Sequence, residues 1–446
     1  GRGGAGGAGG AGATGGNGST GGNGGAGGSG GTVVGTGGTG GAGGNAVNPS
    51  GGTALAGRGG RGGLGVGAGA TGGNGGNGGN AQATLIGNAT GGTGGAGGTG
   101  GSGGATGSPG QNGTASAIAP PRSRVYVTAY SGANVTVIDT VNNSISATVT
   151  TGAFADIQGA IAATPDGTRA YAPIWDDQNQ IYKINMIQNN AVAATISNVP
   201  FLGLGFGAAI TPDGSRGYFS SDAGKLVVIG TNPAGPNYNS VITSLNVQGA
   251  GLGTVSSIAM APSGTRAYLS SNTTEVSVID TDPASGTYNT VIRNITVGGS
   301  GAGLAVTADN GRVYVANSTN NIVSVIDTGS NTVVATVGVG TNPYGVALTP
   351  DSTRAYVTNY SSSTVSVINT DPTAGAAYNT VIATISLIAQ ALPKGIAINT
   401  DGKHAYVANF YGISVSVIDT DPASGTYNTV VATINLSNSD PIGVAL

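Results

Sequence analysis

A tyrosine-containing segment recurs seven times in the last three quarters of the chain. Its tyrosines are spaced by 42 to 50 residues. They are Tyr126, Tyr171, Tyr218, Tyr268, Tyr314, Tyr356 and Tyr406. An internal repeat of this length is typical of the four-stranded blades of a β-propeller. The sequence therefore predicts seven blades between residues 124 and 446.

One repeat shows how a blade is built. Four β-prone segments follow one another: YGVALT (344–349), RAYVTN (354–359), TVSVINT (364–370) and TVIATISL (380–387). They are rich in Val, Ile, Thr and Tyr, and tight-turn residues such as those of PDS separate the first two. In segments such as VSVID, apolar or small residues face both ways, as expected for a blade between two neighbours. No helical periodicity interrupts the pattern.

The two ends of this repeat region complement each other. The first tyrosine segment, RVYVTAY from Arg124, has no proper first strand before it, whereas the chain ends on an unaccompanied first strand, PIGVAL. We therefore expect Ile442–Leu446 to pair with Arg124–Thr128 and to close the ring, which protects the strand edges. The predicted fold is an all-β, seven-bladed propeller closed by its C-terminal strand.

Residues 1–115 follow a different period. Of the 88 glycines, 56 lie in the first 120 residues, and glycine mostly fills two of every three positions there. A period of three matches the extended, left-handed polyglycine-II type of helix, so these Gly-Gly-X triplets predict a packed helix bundle. Apolar residues at the breaks, such as Val47 and Leu55, would serve as turns and caps. The alternative is a flexible linker, because ordering glycine is entropically costly. Residues 116–123 would connect the two regions.

Both regions resemble known families. The segments GGAGGAGG and GGNGGNGGNA are similar to the glycine-rich repeats of mycobacterial PE-PGRS proteins, and YVTN (356–359) with TVSVIDT resembles the YVTN family of seven-bladed propellers. The first resemblance implies export to the cell envelope or surface. The helical PE domain that normally carries the export signal is missing, so we interpret the chain, which starts at Gly1, as a processed or truncated piece.

Composition argues against several functions. Charged residues make up 7% of the chain, and no cluster of Lys and Arg suits nucleic acid. No apolar run is long enough for a transmembrane helix. Without cysteine and with a single histidine, His404, a Cys- or His-based metal site is not expected. We assign no catalytic residue, metal ligand or cofactor.

Candidate ligand-binding residues lie in the loops that vary most between repeats. Propellers bind ligands mostly on the face that bears the second-to-third and fourth-to-first strand loops. Aromatic and acidic residues expected in the second-to-third loops are Tyr130, Trp175, Asp176, Asp177, Asp222, Tyr360, Phe410 and Tyr411. The fourth-to-first return loops hold Phe154, Asp156, Phe201, Phe206, Tyr344 and Lys394. Exposed rings around a few polar groups suit a carbohydrate or protein ligand; alternatively, these rings only cap the blade ends.

Other recurring residues have simpler interpretations. A basic residue precedes each tyrosine strand and forms either a cationic ring or a contact within its own turn: Arg124, Arg169, Arg216, Arg266, Arg312, Arg354 and Lys403. Asp280 with Asp282, and Asp419 with Asp421, are too few for the six to eight oxygen ligands of calcium and fit hairpin turns. His404 is expected to be an inter-strand residue.

These observations predict a non-enzymatic, secreted or cell-surface binding protein. The glycine-rich region would act as anchor or spacer in the cell envelope, and the propeller would bind an unknown protein or carbohydrate, for example of a host. The alternative is a lactonase-type propeller enzyme with a divalent metal in the central channel, to which Asn317, Asn359 and Asn409 would contribute. A purely structural envelope component is the third hypothesis.

Overall fold

The computed structural model describes most of the region from residue 124 to the C-terminus and scattered shorter segments before it. The gaps after residue 124 are 131–133, 153–154, 157–160, 177–178, 180, 198, 201–206, 221–223, 248–254 and 437–439. The segments before it are 19–20, 39–40, 42, 46–48, 54–55, 60, 64, 71, 74, 77, 81–84, 89–90, 95–96, 105–111 and 115–118. Two compact units are present, Gly1–Pro120 and Pro121–Leu446.

The described segments of the unit Gly1–Pro120 include six short strands. They are β1 (Ser19–Thr20), β2 (Ala46–Asn48), β3 (Ala54–Leu55), β4 (Ala81–Thr84), β5 (Ala89–Thr90) and β6 (Ala115–Ile118). They form two parallel sheets, ordered β1-β3-β5 and β2-β4-β6. Paired residues lie 34 or 35 positions apart, as in Ala54 with Ala89. The chain therefore returns to the same sheets at a longer period than the glycine triplets indicate.

The predicted glycine helices of residues 1–115 fall largely outside the described residues and stay a prediction. Val47 and Leu55 lie in β2 and β3, so the expectation that they form turns is wrong. The start of the predicted linker, 116–118, belongs to β6, which pairs with β4. Side-chain amides join successive passes of the chain: Asn74 Oδ1 accepts a hydrogen bond from Ser108 N at 3.0 Å. Asn77 Oδ1 accepts one from Gln111 N at the same distance.

The unit Pro121–Leu446 consists of seven antiparallel sheets, the blades of a propeller. Blades 1 and 2 contain β7 (Arg124–Ala129), β8 (Asn134–Asp139), β9 (Ser144–Thr150), β10 (Ala155–Asp156), β11 (Ala162–Ala163), β12 (Arg169–Asp176), β13 (Ile181–Gln188) and β14 (Ala191–Ile196). Blades 3 and 4 contain β15 (Ala208–Ile210), β16 (Arg216–Ser220), β17 (Lys225–Gly230), β18 (Val241–Asn246), β19 (Val255–Met260), β20 (Arg266–Ser271), β21 (Glu275–Asp280) and β22 (Val291–Thr296). Blade 5 contains β23 (Gly301–Val306), β24 (Arg312–Asn317), β25 (Ile322–Asp327) and β26 (Thr332–Gly338). Blades 6 and 7 contain β27 (Pro343–Leu348), β28 (Arg354–Asn359), β29 (Thr364–Asn369), β30 (Thr380–Ser386), β31 (Pro393–Ile398), β32 (His404–Asn409), β33 (Ser414–Asp419) and β34 (Val430–Asn435).

In blades 3 to 7 the four strands follow one another in sequence order from the inside outwards. A cavity of about 210 Å³ is lined by the first strand, or the residue just before it, of every blade. Its lining residues include Ile161, Ala208, Ser257, Gly303, Gly345, Gly395 and Gly443. The predicted all-β propeller with seven four-stranded blades is thus confirmed. Blade 2 differs, since both β10 and β11 pair with β12.

The last strand of the chain belongs to blade 1. Residues Pro441–Ala445 form β35, which pairs antiparallel with β7 to give the order β35-β7-β8-β9. The register places Val444 opposite Val127 and Ala445 opposite Tyr126. Thr128 Oγ1 also accepts a hydrogen bond from Gly443 N at 3.1 Å. Residues that are more than 300 positions apart in sequence are therefore neighbours in one sheet.

The tyrosines that define the repeat join one blade to the next. All seven are almost completely buried. Five donate a hydrogen bond from the hydroxyl to an asparagine Oδ1 in the turn between the third and fourth strands of the following blade: Tyr171 to Asn239, Tyr218 to Asn289, Tyr314 to Asn379, Tyr356 to Asn428 and Tyr406 to Asn143. These asparagines have positive φ, which asparagine tolerates better than most residues. The last bond, at 2.7 Å, joins blade 7 to blade 1.

Burial within a blade explains the composition of its strands. The central residues of the second and third strands are buried on both faces, because each blade lies between two others. The fourth strand, at the outer rim, alternates between exposed and half-buried positions along most of its length. The apolar VSVID-type segments are therefore inner strands, and the alternating TVIATIS is an outer one.

Helical structure is minimal in the part of the chain that the structure describes. Its one helix is a 3-10 turn at Gly375–Ala377. Within the described residues, no helix has the length and apolar character that crossing a membrane requires.

Candidate functional site

A lysine surrounded by aromatic rings lies on the loop-bearing face of the propeller. Lys394 is the second residue of β31, and the corresponding residue of β27 in the preceding blade is Tyr344. Three more rings, those of Tyr130, Tyr360 and Phe410, directly follow the second strands of blades 1, 6 and 7. We call Tyr130, Tyr344, Tyr360 and Phe410 the aromatic collar of Lys394.

The collar contacts the ammonium group through ring faces. Lys394 Nζ lies 3.7 Å from the ring centroid of Phe410 and 5.6 Å from that of Tyr360. The centroids of Tyr344 and Tyr130 are 5.7 Å and 5.9 Å away. Tyr130 and Phe410 also pack edge to face, with centroids 6.0 Å apart. Each cation–π contact is attractive, more so where water is excluded.

Backbone hydrogen bonds fix the rings in place. The residue after each second strand donates its N–H to the return loop that leads into the first strand of its own blade: Tyr130 to Asp440 O, Tyr360 to Asn342 O and Phe410 to Leu392 O. The loop before Lys394 is strained, since Leu392 has a φ of 46° and Gln390 one of 57°. Three of the four collar residues are therefore held by a backbone hydrogen bond next to the start of the first strand of their own blade.

Burial dominates the electrostatics of Lys394. Desolvation lowers the pKa of its ammonium, and the negative charge of Asp440 opposes this effect only in part. Among the described residues, Lys394 Nζ forms no ion pair closer than 4.0 Å. Desolvation also raises the pKa of the neighbouring Tyr344 hydroxyl. The site therefore presents a positive charge that protein carboxylates compensate only weakly.

A cavity of about 330 Å³ opens next to this lysine. Lys394, Tyr344 and Tyr360 form one wall, and the remaining lining residues come from blades 4 to 6 and the loops between them. These residues are Ser256, Asn272, Ser300, Gly301, Ala302, Ser318 and Asn342. Apart from the collar, the described lining is thus small or hydrogen-bonding, and it contains no carboxylate.

Below the collar, the first strands of adjacent blades approach closely. A Cβ on Gly303 would lie 2.6 Å from the carbonyl oxygen of Tyr344, and one on Gly345 would lie 2.5 Å from that of Lys394. Thr358 Oγ1 joins these strands, because it donates to Lys394 O and accepts from Gly345 N, both at 2.7 Å. Larger residues than glycine would therefore separate the strands that position Lys394 and Tyr344.

The structure brings together some predicted site residues and separates others. Tyr130, Tyr360 and Phe410 meet around Lys394, whereas Tyr411 is 65% exposed and makes no ring contact among the described residues. Of the return-loop residues, Tyr344 and Lys394 complete the site. Asp177, Asp222, Phe154, Phe201 and Phe206 lie outside the described residues.

The predicted residues of blade 2 form a separate group. Trp175 packs on Tyr182, with ring centroids 4.4 Å apart, and is the strand partner of Asp156. Asp176 pairs with Lys183, with 2.5 Å between Oδ2 and Nζ, and accepts hydrogen bonds from Asn179. Hydrogen bonds from Lys183 and Asn179 hold the pKa of this carboxyl well below its usual range. Trp175 and Asp176 thus stabilise the long β12–β13 hairpin.

The sequence did not show which candidate residues would meet. Lys394 and Tyr344 were named as return-loop candidates, but they are the second residues of two first strands, and more than 200 residues separate them from Tyr130 in the chain. The available signal was positional: both precede the glycine of a first strand, in PKG and PYG. The equivalent residues of blades 1, 4 and 5 are Ile442, Ser256 and Ala302.

The recurring arginines serve the blades. The guanidinium groups of Arg169, Arg216 and Arg354 lie over the rings of Tyr238, Tyr288 and Tyr427 in the following blades, with carbon-to-centroid distances of 5.3 to 5.9 Å. Arg266 donates to Thr328 O, Arg312 pairs with Asp327, and Lys403 pairs with Asp421. The predicted contact within the turn occurs between Arg169 and Asp166 at 3.3 Å. These contacts support the structural interpretation over a cationic ligand ring.

The aspartates of the DTDPASGTYNT segments likewise serve their turns. Asp280 accepts hydrogen bonds from Ser285 and Thr287 within its own hairpin, and Asp419 accepts one from Thr426 at 2.6 Å. His404 begins β32 opposite Asp419, as an inter-strand residue. Across the described residues, no group of three or more His, Asp or Glu side chains is arranged to hold a metal ion.

The residues that line the cavity between the first strands do not supply the ligands that the divalent metal of a lactonase-type enzyme requires. These residues are apolar, glycine or serine, apart from Tyr344. Asn317, Asn359 and Asn409 are fully buried and donate from Nδ2 to Ser324, Ser366 and Ser416 of their own blades. Divalent ions such as calcium require several oxygen ligands, usually including carboxylates. We derive no reaction through such an ion.

Comparisons with known proteins support the fold. No family model and no curated protein matches the chain. Among solved structures, it is similar to hydrazine synthase of Kuenenia stuttgartiensis, with a TM-score of 0.55 and 19% identity over 69% of this chain and 94% of that one. It is also similar to a functionally unknown protein from Desulfotomaculum acetoxidans, with a TM-score of 0.54 and 16% identity over 70% of this chain and 99% of that one. The β-propeller domain of Cps50 (Swd1) from Myceliophteria thermophila has a TM-score of 0.50 and 8% identity over 64% of this chain and 88% of that one. At these identities the similarities show the propeller fold alone.

Proposed function

We propose that the propeller is a non-enzymatic binding module whose ligand site is the cavity beside Lys394 and its aromatic collar. The observation that carries this proposal is convergence: rings from blades 1, 6 and 7 meet one half-buried lysine beside a cavity of about 330 Å³. A concave site with aromatic walls and a few directed polar groups is the usual form of a small-ligand site. The cavity lined by the first strands has no carboxylate in its described lining, which favours binding over metal-assisted hydrolysis.

The module would act outside the cell, as a secreted or cell-surface protein. The support for this location is the resemblance of residues 1–115 to exported glycine-rich proteins, in which the repeats would serve as anchor or spacer. Parallel strands in the unit Gly1–Pro120 agree with an ordered spacer. The ligand would then be a molecule of the environment or of a host surface.

The tail strand would close the ring that carries the site. Support comes from the pairing of β35 with β7 and from the Tyr406–Asn143 hydrogen bond between blades 7 and 1. Since Tyr130 comes from blade 1 and Lys394 from blade 7, their contact depends on these two blades being adjacent. Closure is therefore a requirement of the proposed site.

A glycan array probed with the full-length chain tests the proposal. We expect Phe410→Ala to weaken binding to the best glycan about tenfold or more, because aromatic anchors dominate such interfaces. Trp175→Ala is the matched control, since this ring packs on Tyr182 in blade 2. Loss of binding in Trp175→Ala with full binding in Phe410→Ala would contradict the proposed location.

A further inference from the structure

We infer that the site beside Lys394 selects a carboxylate-bearing sugar, such as a hexuronic acid at the end of an acidic glycan. This inference rests on the proposed binding function and specifies its ligand class. Three features of the site lead to this inference: the weakly compensated charge of Lys394, the chemistry of the cavity wall and the size of the cavity.

The cation is partly desolvated, and protein anions that would compensate it are few. Four ring faces surround Lys394 Nζ within 5.9 Å, and the charge of Asp440 offsets the lowering of its pKa only in part. Burying a charge is costly unless it is paired. A ligand carboxylate that reaches Nζ from the cavity side would supply the missing partner, and such charge-assisted hydrogen bonds are stronger than neutral ones.

The cavity wall is suited to hydroxyl groups. Two backbone-anchored serines line it: Ser300 Oγ donates to Asn272 O at 3.0 Å, and Ser318 Oγ donates to Ser300 O at 3.3 Å. Within the described part of the chain, the side-chain amides of Asn272 and Asn342 form no hydrogen bond to protein. An amide offers both donors and acceptors, as a polyhydroxylated ligand requires.

The lining also disfavours other ligands. Because no carboxylate lines the described cavity, a cationic ligand would face Lys394 without compensation. A fatty acid or another apolar acid would place its chain against serine and asparagine groups and leave them unpaired, which is costly. The volume of about 330 Å³ lies at the lower end of the range of small-molecule pockets. A single acidic sugar ring satisfies all these conditions.

Calorimetric titration of the full-length chain with two matched sugars tests the inference. Methyl β-glucuronide and methyl β-glucoside differ in having a carboxylate or a CH₂OH group at one carbon. At pH 7 and low salt, we expect the glucuronide to bind about tenfold more tightly or better, the equivalent of one charge-assisted hydrogen bond. Equal affinities would overturn the inference.

Two lysine variants test whether Lys394 causes the preference for the glucuronide over the glucoside. Lys394→Met keeps the apolar stem but removes the charge, so the glucuronide should lose its roughly tenfold advantage over the glucoside. Lys403→Met removes an exposed lysine that is paired with Asp421, and it should leave the preference unchanged. A preference that survives in Lys394→Met, or disappears in Lys403→Met, would refute the role of Lys394.

Two further outcomes separate this inference from the function on which it rests. If N-acetylalanine, a carboxylate without sugar hydroxyls, binds as tightly as the glucuronide, the sugar assignment is wrong but the anion site stands. If a neutral glycan binds in a Phe410-dependent manner without any preference for acids, the proposed function holds and the inference fails. Absence of binding to all array glycans and both sugars would overturn both.

Discussion

The hydrogen bond between Tyr406 and Asn143 allows a direct test of how blade 7 and blade 1 are joined. Replacing Tyr406 by phenylalanine keeps the buried ring and removes only the hydroxyl, whose oxygen lies 2.7 Å from Asn143 Oδ1. Tyr406 is completely buried, so water does not readily replace the lost donor. The substitution therefore leaves an acceptor without its partner at the junction of the two blades.

The expected cost follows from this geometry. A net intramolecular hydrogen bond contributes about 1 kcal/mol, and leaving its buried partner unsatisfied raises the loss to about 1–3 kcal/mol. We therefore expect Tyr406→Phe to lower the free energy of unfolding of the propeller by about 1–3 kcal/mol. Urea denaturation followed by tryptophan fluorescence measures this change, because the single tryptophan, Trp175, lies in blade 2 of the propeller.

The same repeat provides a matched control. The hydroxyl of Tyr126 makes no hydrogen bond to Asn190, the corresponding asparagine of the next blade, and both atoms are buried. Tyr126→Phe should therefore cost less than about 0.5 kcal/mol, since little hydrogen bonding is lost. Equal destabilisation by the two substitutions, with unchanged denaturant slopes, would refute the reasoning that the Tyr–Asn bonds join the blades.

Two further predictions concern the tail strand and acid stability. Deleting 440–446 removes β35 from blade 1 and should markedly lower the melting temperature. Replacing Ile442, whose side chain is 4% exposed, by alanine should lower the free energy of unfolding by about 2–5 kcal/mol. An unchanged unfolding transition in either variant would contradict closure of the ring by the tail strand. Desolvation raises the pKa of Asp166, but hydrogen bonds from Thr164 and Thr168 and the charge of Arg169 outweigh it and lower the pKa to about 2. Because the folded pKa is depressed, the stabilisation by Asp166 is present above its unfolded pKa of about 3.8 and is lost as pH falls toward 2. The stability difference between wild type and Asp166→Asn should thus be constant from about pH 5 to 7 and shrink below about pH 4; a difference independent of pH down to about 2 would argue against this role.

The propeller was predictable because its signals are local and repeated. The strands predicted at 354–359 and 364–370 match β28 and β29, since Val, Ile and Tyr at positions buried on both faces leave little choice of structure. Turn residues such as Asn379, with positive φ, mark the boundaries. The number of blades followed from counting one tyrosine per repeat.

The candidate site was predictable only in part, because it is assembled across blades. Tyr130, Tyr360 and Phe410 were recognisable as rings in loop positions, but which rings meet depends on the order of the blades around the axis. Lys394 occupies a strand position that blades 1 and 5 fill with Ile442 and Ala302, so its role emerges only from its neighbours. Trp175 was misleading for the opposite reason, since its partner Tyr182 lies across a local hairpin of the same blade.

The glycine-rich region shows a different limit. Triplets with a period of three describe the local backbone, whereas the 34- or 35-residue offset between paired strands reflects contacts between distant parts of the chain. Short segments such as Ala54–Leu55 carry too few residues to show a strand pattern. The pairing of these strands depends on contacts between distant parts of the chain and therefore could not be predicted from the local period.

Lysine NMR spectroscopy tests the central claim, that Lys394 lies within an aromatic collar and binds the ligand, most directly. The chain contains only four lysines, Lys183, Lys225, Lys394 and Lys403, so reductive ¹³C-methylation gives a simple spectrum that Lys394→Met assigns. With the Phe410 ring centroid 3.7 Å from Nζ, we predict a strongly upfield-shifted methyl signal for Lys394 that moves on addition of methyl β-glucuronide while the Lys403 signal does not. A Lys394 signal at the position of an exposed lysine, unaffected by the sugar, would contradict the account.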